Sequence, residues 1–125
     1  MTDNEFKEFY QKALDHLLNG RYKLGLNDAE KLIEERPNDG KASVIYGWAL
    51  LENGDPAKAL EFANLAVELA PDSFTTRMYR GIILGKMSIF DGASYVPFYI
   101  LFHFWGKLVK AVILSYSHLR SIGYD

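Results

Sequence analysis

The sequence predicts an all-α protein built from helix-turn-helix repeats, and three observations lead to that prediction. Pro37 and Pro71 stand 34 residues apart, and Gly20 and Gly54, each preceded by asparagine, repeat with the same spacing. Between these positions the apolar residues recur every three to four residues, as they do on one face of a helix. A fixed period of this length is typical of stacked helical hairpins.

Local signals predict where each helix begins and ends. The two repeated glycines suit the left-handed residue that follows a helix end, and the two repeated prolines cannot continue a helix. Asp55 and Pro56 form a good N-cap followed by proline at the first helical position. These signals predict helices over 4–18, 22–35, 40–52, 56–69 and 74–87.

The residue types at repeat positions are as regular as the period. The first repeat has Phe9, Ala13, Gly20, Tyr22, Gly25, Ala29 and Pro37; the second has Tyr46, Gly47, Gly54, Ala59, Ala63, Ala66 and Pro71; the third has Gly81, Phe90 and Ala93 before the pattern ends. Small residues at Ala13, Gly47 and Gly81 are expected to let paired helices approach closely. This pattern resembles the tetratricopeptide repeat (TPR) family. The resemblance implies a superhelical array within one domain over 1–125, with repeats at about 6–39, 40–73 and, in part, 74–94.

The chain departs from the repeat near Pro97, which falls inside the expected second helix of the third repeat. Proline in a helix interior removes a hydrogen bond and clashes with the preceding turn. The sequence therefore predicts an irregular segment over 88–96 and a long, divergent C-terminal helix over about 97–119.

This C-terminal helix has a wider apolar arc than one packed face needs. Residues seven apart lie in one straight row along the helix, and a second helix can pack on that row. The row consists of Phe98, Trp105, Val112 and Leu119. We therefore predict a homo-oligomer, in the simplest case a dimer, that forms through Phe98, Phe102, Trp105, Val109, Val112 and Leu119. Two alternatives remain at this point, namely that the helix folds back over its own repeats or that it lies on a membrane surface.

The resemblance also implies a binding groove, because the first helices of TPR units line the concave surface where protein partners bind. The matching positions are largely apolar, and the apolar residues that we predict to form the groove are Tyr10, Leu14, Leu17, Val44, Trp48, Leu51, Met78 and Ile82. The other matching positions are Leu18 and five polar or charged residues, Lys7, Lys41, Glu52, Thr75 and Lys86. Trp48 lies in the middle of the groove, where a residue that anchors the ligand is expected. Such a groove suits an amphipathic helix or an extended apolar peptide. The alternative is that Tyr10, Leu14 and Trp48 pack against the chain's own C-terminal helix.

The composition and the motifs of the chain indicate no catalytic or metal-binding site. The chain has no cysteine, its three histidines are scattered, and it has no glycine-rich phosphate loop. We therefore expect no catalytic residue, no cofactor and no metal site, and hence no enzyme. The N-terminus does not resemble a secretory signal, no apolar run is long enough to span a membrane, and the absence of cysteine fits a reducing, cytoplasmic setting.

Charge is distributed unevenly along the chain. Residues 1–73 contain 8 lysines and arginines against 14 acidic residues, whereas residues 74–125 contain 6 against 2. With a formal net charge of −2 overall, a nucleic-acid partner is not expected. The sequence predicts a non-catalytic protein-interaction module, an adaptor, chaperone or assembly factor that binds a protein or peptide. The alternative function is that of a peripheral membrane protein anchored through the C-terminal helix.

Overall fold

The computed structural model describes residues 1–92 and 98–121, with side chains described for 1–87 and 104–121. The described residues form six α-helices and contain no strand, which confirms the all-α prediction. The helices are α1 (Asp3–Leu18), α2 (Tyr22–Glu35), α3 (Gly40–Glu52), α4 (Pro56–Leu69), α5 (Phe74–Gly92) and α6 (Phe98–Ser121).

The predicted helix boundaries agree closely with the structure for the first four helices, and one correction is needed at α5. Residues 88–92, which were predicted to be irregular, are the last residues of α5. No proline lies in that stretch, and its turn dipeptide, Asp91-Gly92, stands where α5 ends. The rest of the predicted irregular segment, 93–96, lies outside the described residues.

The two glycine turns have the same geometry, as a structural repeat requires. Gly20 and Gly54 have φ values of +77° and +89°, in the left-handed region that glycine adopts without strain. In each turn the next amide donates back to the carbonyl five residues earlier: Arg21 N to His16 O at 2.8 Å, and Asp55 N to Leu50 O at 2.9 Å. This is the hydrogen-bond pattern of a Schellman helix end.

Four helices begin with a side-chain cap. In each case a side-chain oxygen accepts from the amide three residues later, which satisfies one of the free N–H groups of the first turn. The capping residues are Thr2, Asp39, Asp55 and Ser73. Asp55 was identified in the sequence, and the other three occupy equivalent positions before their helices.

The chain divides into two compact units, Met1–Leu84 and Gly85–Asp125, with the division inside α5. The first unit contains the helical hairpins α1–α2 and α3–α4 and the start of α5. Its hydrophobic core is made largely of small and aliphatic side chains, which allows the helices to pack closely. Fully buried examples are Ala13, Ala29, Leu32, Ala42, Val44, Ile45, Ala59, Ala63, Ala66 and Ile83.

Close helix approach occurs at Gly47 but not at Gly81. A Cβ atom on Gly47 would lie 3.0 Å from the Ala59 carbonyl oxygen and 3.3 Å from the Ala63 amide nitrogen, both on the backbone of α4. Gly81 is exposed, and a Cβ there would meet no atom of the described residues within 4 Å. The close approach predicted at Gly81 is therefore not found among the described residues.

In the second unit, the beginning of α6 packs on the end of α5. A Cβ on Gly85 would lie 2.7 Å from Cη2 of Trp105, so the absence of a side chain at Gly85 makes room for the indole ring. Further along α6, Val109, Ile113 and Tyr116 are buried. These three residues lie one turn apart on a single face of the helix.

Candidate protein-binding surfaces

The predicted groove residues all belong to the first helix of a repeat, on α1, α3 or α5, and all lie in the first unit. The structure separates them by accessibility. The buried members are Leu14, Leu17, Val44, Trp48 and Leu51, and the partly buried members are Tyr10, Met78 and Ile82. The second set is therefore partly accessible to solvent, whereas the first set is not.

Trp48, the expected anchor at the centre of the groove, is held on two sides. Its ring stacks on that of Tyr79, with centroids 5.8 Å apart and an interplanar angle of 28°, which joins α3 to α5. Its Nε1–H donates to Oε1 of Glu52 at 3.2 Å. Only 4% of the residue is exposed, so Trp48 shapes the surface by supporting its neighbours.

Glu52 also lies near Tyr22, at the start of α2, and affects the pKa of its phenol. Burial of the phenol raises the pKa of Tyr22 above its usual value of 10.0, and the nearby Glu52 carboxylate raises it further. On the second repeat, burial raises the pKa of Tyr46, with smaller contributions from the negative charges of Glu30, Asp55 and Glu34. Both phenols are therefore held neutral in the folded chain.

The raised tyrosine pKa values predict a loss of stability at alkaline pH. A phenol with a higher pKa in the folded state stabilises that state fully below the unfolded value of 10.0. This contribution is lost as pH rises through the folded pKa. We expect the free energy of unfolding, measured by urea titration, to fall above pH 10. The decline should be smaller in a Tyr22→Phe, Tyr46→Phe double variant, and an equal decline in both proteins would contradict this explanation.

His16 is the described histidine with the richest polar surroundings. Its Nδ1 accepts from Nε of Arg21 at 2.8 Å, and its Nε2 lies 3.5 Å from Oδ2 of the buried Asp28. The arrangement places the ring proton on Nε2 and ties the end of α1 to α2. Within residues 1–87 and 104–121, no group of three or more potential metal ligands comes together.

The exposed side of α6 is mixed in character. Among its exposed polar residues are Lys107, Lys110, Ser117 and His118. Large apolar side chains are exposed as well, above all Phe104 at 67% and Leu108 at 46%. Further exposed apolar residues on this helix are Val112, Leu114 and Leu119.

The predicted self-association residues are therefore divided between two environments. Val109 is buried and Trp105 is partly buried, whereas Val112 and Leu119 are exposed. The side chains of Phe98 and Phe102 lie outside the described residues. Sequence reasoning did not select Phe104 and Leu108, although their four-residue spacing places them on one face. A count of apolar residues at that spacing would have found them.

A second surface feature that the sequence did not predict is a shallow cleft of about 340 Å³ on α4. Phe62 and Leu65 provide its apolar part, Asn64 adds an amide, and Glu61 and Glu68 add two carboxylates two turns apart. The cleft is therefore apolar in its centre and acidic at its ends.

No helix in the described part of the chain is both long and apolar enough to cross a membrane.

The first unit consists of helical hairpins that repeat their glycine turns and their small residues at helix contacts. This arrangement places the chain in the class of helical-repeat proteins. The sequence profile of the family described as Tetratricopeptide repeat matches residues 10–74, which is about half of the chain. The chain therefore belongs to the tetratricopeptide repeat family, whose members typically bind other proteins and are typically not catalysts. Neither the curated proteins nor the solved structures give a match to this sequence.

Proposed function

We propose that this chain is a non-catalytic protein-interaction module, an adaptor, chaperone or assembly factor, that holds an apolar peptide or helix on its first helices. The proposal rests chiefly on the apolar character of the eight groove positions. Among all the positions of the first helices that match the family's groove, nine are apolar and four are charged, namely Lys7, Lys41, Glu52 and Lys86. Apolar grooves bind amphipathic helices through residues spaced three and four apart.

The accessible part of this surface is suited to contact a ligand. Met78 and Ile82 lie one turn apart on α5, so their side chains are neighbours on one face. Tyr79, between them in sequence, is fixed by its stack on Trp48. A partly exposed apolar pair on a well-packed support loses little side-chain entropy on binding, and such positions contribute strongly to affinity.

Affinity capture with matched variants tests this proposal. Ile82→Glu introduces a charge at the accessible groove, and Leu24→Glu introduces the same charge on α2, where Leu24 is 48% exposed. We expect proteins captured by the native chain, quantified by mass spectrometry, to be lost with Ile82→Glu and retained with Leu24→Glu. Circular dichroism must show both variants folded. A set of captured proteins that is unchanged in Ile82→Glu would contradict the groove proposal.

We further propose a cytoplasmic role that requires no cofactor and no nucleic acid. The polar contacts of His16 in the structure are with Arg21 and Asp28, and they hold the end of α1 against α2. Acidic residues outnumber basic ones by 14 to 8 over residues 1–73, which would repel a phosphate backbone.

Self-association through α6 is a second part of the proposal. It is supported by the exposure of Phe104, Leu108, Val112 and Leu119 on one helix, since exposed apolar patches can mark protein interaction sites. We expect sedimentation equilibrium of the native chain at micromolar concentrations to show a reversible dimer. Leu108→Glu should shift the protein to monomer, and a clean monomer for the native chain at tens of micromolar would contradict this part.

The alternative function is peripheral membrane binding through α6. It is supported by the exposed ring of Phe104 and by the absence of any carboxylate between residues 98 and 121. Flotation with anionic vesicles tests it directly. Membrane binding requires that the native chain float and that Phe104→Asp prevent it.

A further inference from the structure

The exposed side of α6 has an unusual order of side-chain sizes. Phe104, Leu108, Ala111 and Ser115 follow one another at spacings of four, three and four residues, and all four are exposed. That spacing is the one by which a helix presents a seam to a second helix. These four residues form the seam. Two large side chains occupy its first half and two small ones its second half.

We propose that two copies of the chain pair through this seam with their α6 helices antiparallel, an inference that rests on the self-association proposed above. In an antiparallel pair, Phe104 of one copy lies opposite Ser115 of the other, and Leu108 lies opposite Ala111. Each large side chain then meets a small one, so the two helices remain evenly spaced and leave no cavity. A parallel pair would place Phe104 against Phe104 and Ser115 against Ser115, which leaves one end overfilled and the other empty.

The charges on α6 also favour a second copy as the occupant. None of the four seam residues is charged, so two seams meet without burying an unpaired charge. The cations of α6 lie elsewhere on the helix: Lys107, Lys110 and Arg120. At 100° per residue, Lys110 and Arg120 point more than a quarter-turn away from the seam, and only Lys107 lies at its edge. Helices that lie on a membrane surface are typically rich in lysine and arginine on the polar face, whereas exposed Leu114 lies between Lys107 and Lys110 on that side of α6.

The size of the seam sets the expected strength of the pair. The exposed fractions of Phe104 and Leu108 amount to roughly 200 Å² of apolar surface in each copy, since a whole aromatic side chain offers about 150–250 Å². Two such surfaces give less than the roughly 1,200 Å² at which stable complexes begin. We therefore expect a reversible dimer with a dissociation constant in the micromolar range.

Site-specific cross-linking tests the orientation, because the chain has no cysteine of its own. In the antiparallel pair the two Ala111 positions lie about 5 Å apart along the helix axis, and the two Ser115 positions about 17 Å apart, from a rise of 1.5 Å per residue. With a short thiol-reactive cross-linker, Ala111→Cys should give a covalent dimer and Ser115→Cys should not. Ser117→Cys, exposed on another face of the helix, measures cross-linking by random collision. Adding Leu108→Glu to Ala111→Cys should lower the yield at least about tenfold.

Each other outcome overturns the inference in a distinct way. Equal cross-linking of Ala111→Cys and Ser115→Cys would mean that the helices pair parallel. Cross-linking of neither, in a protein that sediments as a dimer, would overturn the seam and leave self-association intact. Cross-linking of neither in a sedimenting monomer would overturn both. Anionic vesicles that bind the native chain and not the Leu108→Glu variant, with no covalent dimer, would assign the seam to a membrane.

Discussion

Replacing Gly47 with leucine should unfold the protein. A Cβ atom alone would lie 3.0 Å and 3.3 Å from backbone atoms of α4, and backbone cannot move aside as a flexible side chain can. Leucine adds three further carbons, so α3 and α4 must separate along their whole contact. We expect a loss of about 3 kcal/mol or more. Native domains are stable by only about 5–15 kcal/mol, so this loss is a large fraction of the free energy of unfolding. Thermal melts followed by circular dichroism measure it.

Gly81→Leu is the matched control, since it makes the same substitution at the equivalent repeat position. Gly81 is exposed on α5, and a Cβ there would meet nothing among the described residues within 4 Å. Leucine is also the better helix former by about 0.5–1 kcal/mol. The control should melt at or above the native midpoint. If both variants melted like the native protein, the assignment of Gly47 to a helix contact would be wrong.

Trp48→Ala should cause the second-largest loss. The residue is only 4% exposed, stacks on Tyr79 and fills space between α3 and α5. Truncating a buried tryptophan to alanine typically costs about 3–5 kcal/mol. We expect urea titration to show that loss, together with reduced binding of any partner held on α5. If the Trp48→Ala variant had native stability and native binding, Trp48 would contribute neither to the core nor to the groove.

The Trp48→Phe variant separates the contribution of ring stacking from that of the hydrogen bond to Glu52. Phenylalanine can keep the stack on Tyr79 and cannot donate to Glu52, so the expected loss is about 1 kcal/mol. If Trp48→Phe lost as much as Trp48→Ala, the hydrogen bond to Glu52 would outweigh packing.

The fold was largely predictable because local signals and the repeat agree. Gly20 and Gly54 occupy the same left-handed position one period apart, and Asp55 caps α4 as expected. The error at 88–92 has a physical origin. Proline disfavours helix at the residue just before it, and the prediction extended this effect of Pro97 back to residue 88, whereas α5 continues to Gly92.

The binding surfaces were less predictable, because residue type does not determine accessibility. Val44 and Ile82 both occupy groove positions, yet Val44 is fully buried and Ile82 partly open. On α6 the heptad pattern pointed to Trp105, which packs at Gly85, while Phe104, one residue earlier, is exposed. Neighbouring residues on a helix point 100° apart, so choosing the contact face requires knowing which face already packs.

Calorimetric titration with the partner that capture identifies tests most directly whether the apolar groove binds protein. The native chain should bind with a negative heat-capacity change, the signature of buried apolar surface. Ile82→Glu should weaken binding by about tenfold or more, since it places a charge against apolar groups. Leu24→Glu should bind like the native chain. Equal affinity for the native chain and Ile82→Glu, or equal weakening by both variants, would contradict groove binding.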